Sequence, residues 1–287
     1  MAVLWHHFAM VQIGQINKLK VVKKMEYGVF LDGGSDGEIL LPARYQPENC
    51  EVGAELEVFV CFDSEDRLVA MTEMPFAMVG TFGLLKVKSI ERVGAFLDWG
   101  LPKDLFLPFS EQTRDLKIGQ NVLVYLYLDK TDRIASSMRL DRFIDKESGN
   151  YEAGQSVDLL IAAKTDLGYK AIINGRHWGM LYANEVFQQL EYGQRLKGFI
   201  KQVRDDGKID LRLNEAGHKA TADIGERIME LLKSKGGFLP ITDKTDPEAI
   251  YDLFGVSKKK YKIALGGLYK KRLITVHDDG IRLVDGR

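Results

Sequence analysis

Hydrophobic and polar positions alternate with a period of two along most of the chain, and near residue 220 the period lengthens to that of a helix. Glu55-Leu-Glu-Val-Phe-Val60 and Asn121-Val-Leu-Val-Tyr-Leu126 both alternate, and each follows a glycine that ends a turn. Tyr27-Gly-Val-Phe-Leu-Asp-Gly-Gly34 is a β-branched and aromatic run closed by glycines. Asp63-Ser-Glu-Asp66 and Asp129-Lys-Thr-Asp132 are polar turn clusters between two strands. From Ala220 onward, Ile224, Ile228, Leu231 and Leu232 form an apolar stripe at helical spacing.

The strands recur. A shift of 66 residues superimposes Gly14, Leu19-Lys-Val21, Gly28, Phe30-Leu-Asp32, Leu41-Pro42, Gly53, Asp63 and Asp66-Arg67 on Gly80, Leu85-Lys-Val87, Gly94, Phe96-Leu-Asp98, Leu107-Pro108, Gly119, Asp129 and Asp132-Arg133. A third copy follows at a further offset of 74, with Gly168 for Gly94, Gly193 for Gly119 and Gly207-Lys-Ile209 for Asp132-Arg-Ile134. Five short strands per copy fit a small Greek-key barrel of the OB type. A barrel of that size buries only about 60% of its unfolded surface, so packing between barrels is expected to add stability.

The last part reads as a different domain. Phe238-Leu-Pro-Ile241 is a short extended segment. Asp246-Pro-Glu248 has the form of an N-cap, a proline at the first helical position and an acidic first turn, and that helix should stop at Gly255. Ser257 caps a second helix running to about Arg272, with Tyr261, Ala264, Leu265 and Leu268 spaced for the core. Leu273-Ile-Thr-Val276, a His277-Asp-Asp-Gly280 turn and Ile281-Arg-Leu-Val284 make a hairpin. Helix, strand, helix, helix, hairpin is winged-helix order. The expected fold is multidomain and mostly β with a C-terminal α+β domain: three five-stranded OB-type β-barrels, then a winged helix. Its expected boundaries are 1–75 (with an extension over 1–10), 76–142, a linker 143–149, 150–214, a linker 215–219, and 220–287.

Val93-Gly-Ala-Phe-Leu-Asp-Trp-Gly100, Asp104-Leu-Phe-Leu-Pro108, Ile118-Gly-Gln-Asn-Val-Leu-Val124 and Asp129-Lys-Thr-Asp-Arg-Ile134 closely resemble the S1 RNA-binding motif. The first copy is a second match, and the third resembles S1 at its end but has drifted in the middle. The whole arrangement resembles the conserved virulence factor B family of Gram-positive bacteria. That resemblance implies a stacking face made of the aromatic in the Gly-x-Phe strand, an aromatic of the next strand, and an Asp/Arg pair in the last turn. Unpaired bases stack on such a face and nearby cations hold the backbone. Carried over, the second copy supplies Phe96, Phe106, Asp129 and Arg133. The first supplies Tyr27, Phe30, Asp63 and Arg67, with Leu40 where Phe106 stands. In the third, Lys170, Met180 and Lys208 replace Phe96, Phe106 and Arg133, and Tyr169 or Trp178 could substitute as aromatics. Alternation alone leaves Phe30 and Phe96 open between barrel core and exposed face; the resemblance implies the face. For Trp99 and Trp178, packing between barrels is an equal reading.

Charge refines this picture. The chain of 287 residues has a net charge of −1, but residues 1–75 hold 6 basic against 12 acidic side chains and residues 217–287 hold 14 against 10. Electrostatic grip on phosphates should therefore lie toward the C-terminus. Lys258, Lys259, Lys262, Lys270 and Lys271 of the last helix are the candidates, and lysines hold phosphates without specifying bases. Gly266 and Gly267 in mid-helix call for a close approach of phosphate or of a packed chain. The expected partner is single-stranded RNA, with DNA also open for the winged helix. The alternatives are a DNA-binding transcriptional regulator and a ribosome- or polymerase-associated interaction module.

Cys50 and Cys61 lack the spacing of a disulfide framework or a metal site. His6, His7, His177, His218 and His277 show no nucleophile or carboxylate partner in a recognisable motif, and no glycine-rich phosphate loop is present. No enzyme activity, metal or cofactor is expected. The N-terminus has neither a basic region nor an adequate apolar run for a signal peptide, and no stretch is long enough to span a membrane, so a cytoplasmic location is expected.

Overall fold

The computed structural model describes residues 10–284 except 49, 148, 184, 187 and 214–218, and divides into two compact units, 1–143 and 144–287. His6, His7 and His218 lie outside the described residues.

The alternating segments pair into barrels because each has one apolar face to bury. In the first unit, β1 (Ile16–Met25), β2 (Gly28–Asp32), β3 (Glu38–Pro42), β4 (Glu55–Phe62) and β5 (Leu68–Met71) close in the order β1-β2-β3-β5-β4. β6 (Phe82–Glu91), β7 (Gly94–Asp98), β8 (Leu105–Pro108), β9 (Asn121–Leu128) and β10 (Ile134–Ser137) repeat that order. The second unit repeats it again with β11 (Ser156–Thr165), β12 (Gly168–Ile173), β13 (His177–Tyr182), β14 (Arg195–Val203) and β15 (Ile209–Arg212). The fold class is therefore three closed five-stranded barrels before a small helical domain. A bulge falls at the same point of β1, β6 and β11, after Val21, Val87 and Ile161; it adds local twist and bends the strand where the barrel must close. Gly94 shows why the repeats keep a glycine at the start of the second strand. Its φ is +159°, and a Cβ there would lie 2.4 Å from the Leu107 carbonyl oxygen and 2.9 Å from the Phe106 ring.

Inward positions make the cores: Val21, Val29, Leu31 and Leu41 in barrel one, Ala95, Leu97, Leu107 and Val124 in barrel two, Leu159, Ala171, Leu181 and Leu211 in barrel three. Barrels one and two share a single apolar cluster. Val58 and Val60 point into barrel one, so Phe59 points out of it; it is nonetheless fully buried, because Trp99 of barrel two packs edge-on against it at 5.7 Å. Trp99 therefore packs between barrels, its indole N–H donating to the Lys103 carbonyl at 2.6 Å.

The C-terminal domain follows its caps. α1 (Lys219–Ser234) precedes β16 (Phe238–Leu239), α2 (Pro247–Phe254), α3 (Lys258–Lys270), and the hairpin β17 (Ile274–His277) and β18 (Gly280–Leu283). Asp246 caps α2 by accepting from the Glu248 amide, and Gly255 ends it in the left-handed region at φ 66°. The Ser257 side chain accepts from the Lys260 amide at the start of α3, and Tyr261, Ala264, Leu265 and Leu268 are its buried residues. The helix ends at Lys270, two residues short of the expected Arg272, which instead takes a positive φ of 57°. No helix among the described residues is long and apolar enough to cross a membrane.

Candidate nucleic-acid interface

Barrel pairing sets one cross-strand row facing away from each barrel's interior, although Ala135 and Asp210 within these rows are buried. In barrel two the row is Phe96, Phe106 and Ala135; in barrel one it is Phe30, Leu40 and Val69; in barrel three it is Lys170, Met180 and Asp210. Phe96 and Phe106 alternate with Leu97, Leu105 and Leu107, which fill the barrel, so they are not core. They are not open surface either. Both are half-buried, with ring centroids 5.4 Å apart and planes tilted by 36°.

What partly encloses them is barrel one. Phe96, Phe106, Asp129 and Arg133 line a cleft of 770 Å³ together with Leu40, Asp63, Asp66 and Arg67. Six of the expected residues thus meet in one place. Tyr27 and Phe30 do not line it: Tyr27 is exposed, its ring edge-on to Phe30 at 6.1 Å, and the Lys23 ammonium sits 5.3 Å from the Phe30 ring centroid.

The last-turn Asp/Arg pairs have different geometries in the two barrels. Asp63 accepts from the Glu65 and Arg67 amides and from the Arg67 guanidinium at 2.8 Å. Asp129 accepts from the Thr131 amide and hydroxyl and the Arg133 amide, while the Arg133 guanidinium reaches Asp66 of barrel one at 2.5 Å. Both aspartates thus hold their own turns. Partial burial pushes their carboxyls up, but these hydrogen bonds outweigh it and hold both below the usual aspartate range. Asp66 was invisible to sequence reasoning as a partner. It and Asp132 are turn residues in the left-handed region, at φ 58° and 57°. Gly207 takes that place in barrel three, at φ 76°.

Barrel three changes the chemistry. Tyr169 is buried in its core, which removes it as a substitute aromatic. Trp178 faces outward with the Lys170 ammonium 3.7 Å from its ring centroid. Arg204 stands where the other barrels have Asp63 and Asp129, since its amide and the Lys208 carbonyl close the equivalent turn. The guanidinium replaces a carboxylate, but Arg204 and Lys208 both pair with Asp206, at 3.6 and 2.9 Å, and aligning the turns by their glycine would have found the replacement. His177 has acquired neighbours: the Tyr151 hydroxyl lies 2.9 Å from its Nδ1 and an Asp145 oxygen 3.7 Å from its Nε2. They tie the segment before barrel three to its wall.

On α3 the lysines divide. The Lys258 ammonium donates to the Lys244 carbonyl at 3.1 Å, and Lys262 pairs with Asp243 at 3.3 Å. Lys259, Lys270 and Lys271 are exposed, with no ion pair among the described residues. Among the described residues, nothing lies within 4 Å of a Cβ built on Gly266 or Gly267, so none of them packs there. The hairpin tip carries Asp278 and Asp279, which pair with Lys244 at 3.3 Å and Arg282 at 2.6 Å. Among the described residues, no cluster of three or more His, Cys, Asp or Glu could hold a metal ion.

Residues 13–73 and 79–139 match the S1 domain family, and residues 226–283 match the CvfB-like winged helix domain. The chain is 27% identical over 290 residues to conserved virulence factor B of Staphylococcus epidermidis, covering 94% of each protein. This chain carries two S1 domains and a CvfB-like winged helix domain. It is also 28% identical over 270 residues to the uncharacterized protein YitL of Bacillus subtilis, covering 90% of this chain and 89% of that protein. Among solved structures, a multidomain protein with nucleic acid binding domains from Streptococcus pneumoniae is 23% identical at a TM-score of 0.41, covering 95% of this chain and 98% of that one. S1 and winged-helix domains are nucleic-acid-binding types, and neither is enzymatic.

Proposed function

We propose that this chain binds single-stranded RNA without catalysing a reaction on it and regulates gene expression after transcription, in the cytoplasm where transcripts are. The observation that carries this reading is the outward aromatic pair Phe96–Phe106 on a closed S1 barrel, beside the Arg133 guanidinium. Flat rings set in a barrel wall suit bases that are already unstacked, and a duplex offers none. Phosphates are held by Lys259 and Lys270 of α3, by Lys271 at its C-cap, and by Arg204 and Lys208 of barrel three once they leave Asp206. Lys258 and Lys262 contribute once their present partners are exchanged. Asp63 and Asp129 act by shaping the turns that present the cations, and Tyr27 and Phe30 offer a further stacking patch on barrel one. The relatives' name supports placing this regulation among virulence-factor genes.

A second reading has its own observation. The exposed lysines of α3 lie on the second helix of a helix-turn-helix, which suits contact with duplex DNA. Labelled single-stranded RNA, single-stranded DNA and duplex DNA titrated across a salt series separate the two. RNA should bind most tightly, with affinity falling steeply as salt rises. Tighter binding of duplex DNA would give the function to the winged helix instead.

A further inference from the structure

The cleft between barrels one and two has a composition that a phosphate channel would not have. Leu40, Val69 and Met71 of barrel one and Phe96 and Phe106 of barrel two supply an apolar lining. The charged lining is balanced: Arg44, Arg67, Lys103 and Arg133 against Asp63, Asp66, Asp104 and Asp129. Most of these charges are already engaged. Arg67 pairs with Asp63, Arg133 with Asp66 and Asp104 with Lys88, while Lys103 donates to the Asp63 carbonyl. A run of phosphates would have to break these pairs and face four carboxylates. A flat, uncharged ring would leave the pairs intact and carries no charge for the carboxylates to repel. The edge of a nucleobase carries donors and acceptors side by side, which a lining of carboxylates and guanidiniums can meet. The volume of 770 Å³ lies in the range of pockets that enclose a small planar ligand, roughly 300–1,000 Å³.

We infer that this cleft is a nucleobase pocket built jointly by the first two barrels, in which one unpaired base stacks on Phe96 and Phe106 while the strand's phosphates are held elsewhere. The inference rests on the RNA-binding reading for the source of the base; the same pocket chemistry admits a free nucleoside. Barrel one then acts as the wall that turns an open stacking face into a pocket.

The test uses the full chain and three probes: 2-aminopurine riboside, a single-stranded RNA decamer carrying one 2-aminopurine, and the same decamer with an abasic site there. The riboside and the decamer's fluorescent base should both be quenched on binding. The abasic decamer should bind roughly five- to a hundredfold more weakly, the loss of one stacked base. Leu40→Trp fills the cleft from the barrel-one side and should abolish quenching of both fluorescent probes. If that variant fails to fold, Phe106→Ala should give the same loss. Quenching of the riboside without any binding of the decamer would uphold the pocket and remove the RNA-binding reading. Tight binding of the decamer with an unquenched base, an unchanged abasic affinity and no effect of either substitution would overturn the pocket while leaving RNA binding intact.

Discussion

Tyr261 is fully buried in the C-terminal domain, its ring stacked on Phe254 at 5.5 Å, and its hydroxyl has no hydrogen-bond partner among the described residues. Burial pushes its ionisation far up, so the hydroxyl stays neutral. An unmatched buried hydroxyl loses water and gains nothing, a penalty of ~1–3 kcal/mol. Tyr261→Phe keeps the ring and removes the penalty, and should stabilise the domain by about 1 kcal/mol in urea unfolding. Asp129 gives a residue-scale prediction of pH dependence. Its carboxyl is held below the ordinary value of 3.8, so the folded state favours the charged form. That contribution is present above the unfolded aspartate value and is lost as pH falls through the lower folded value. Asp129→Asn can still accept from the turn amides but no longer titrates. The fall in melting temperature on acidification should be shallower in this variant than in the parent protein.

At the scale of the element, α3 is the segment where composition and structure agree best. Its cap, its buried stripe and its lysine face follow from helical periodicity, a local property visible in thirteen residues. Replacing Lys259, Lys270 and Lys271 with Gln should flatten the plot of log affinity against log salt on single strands by about two units, ~0.7 per lost phosphate contact. Stability should change little, because these side chains are exposed and unpaired among the described residues. Gly266 and Gly267 supply an opposite signature. Each weakens the helix by about 1 kcal/mol relative to alanine. With open space above both, Gly266→Ala combined with Gly267→Ala should stabilise α3. If a backbone approaches that face, the same double variant should bind RNA more weakly. Lys258 and Lys262 illustrate what periodicity cannot show. Both belong to the same basic helix, yet their partners, the Lys244 carbonyl and Asp243, come from the preceding loop.

For the whole molecule, repeats at offsets of 66 and then 74 residues made three barrels legible because the same glycines, turns and alternating strands had to recur wherever the same barrel closes. How barrels one and two meet was not legible. The Arg133–Asp66 pair joins residues 67 apart in sequence, and no local pattern marks either as the other's partner. The resemblance implied an outward-facing Phe96 and Phe106, but nothing in the sequence marked them as half-buried, since the surface covering them belongs to another repeat. Trp99 tests this joining directly. Its ring buries Phe59 of barrel one, and its N–H is satisfied within barrel two. Trp99→Ala removes the ring from a seam that both cores share, and such truncations cost ~3–5 kcal/mol. If the seam couples the barrels, residues 1–143 should unfold in one transition in the parent protein and in two in Trp99→Ala, followed by urea titration with far-ultraviolet circular dichroism. A single transition merely shifted to lower urea would mean that the barrels stay coupled without this ring. RNA affinity separates the seam's structural role from its part in binding. Loss of the pocket wall should weaken an RNA decamer under conditions where both barrels remain folded. Unchanged affinity in the uncoupled protein would return the stacking face to barrel two alone.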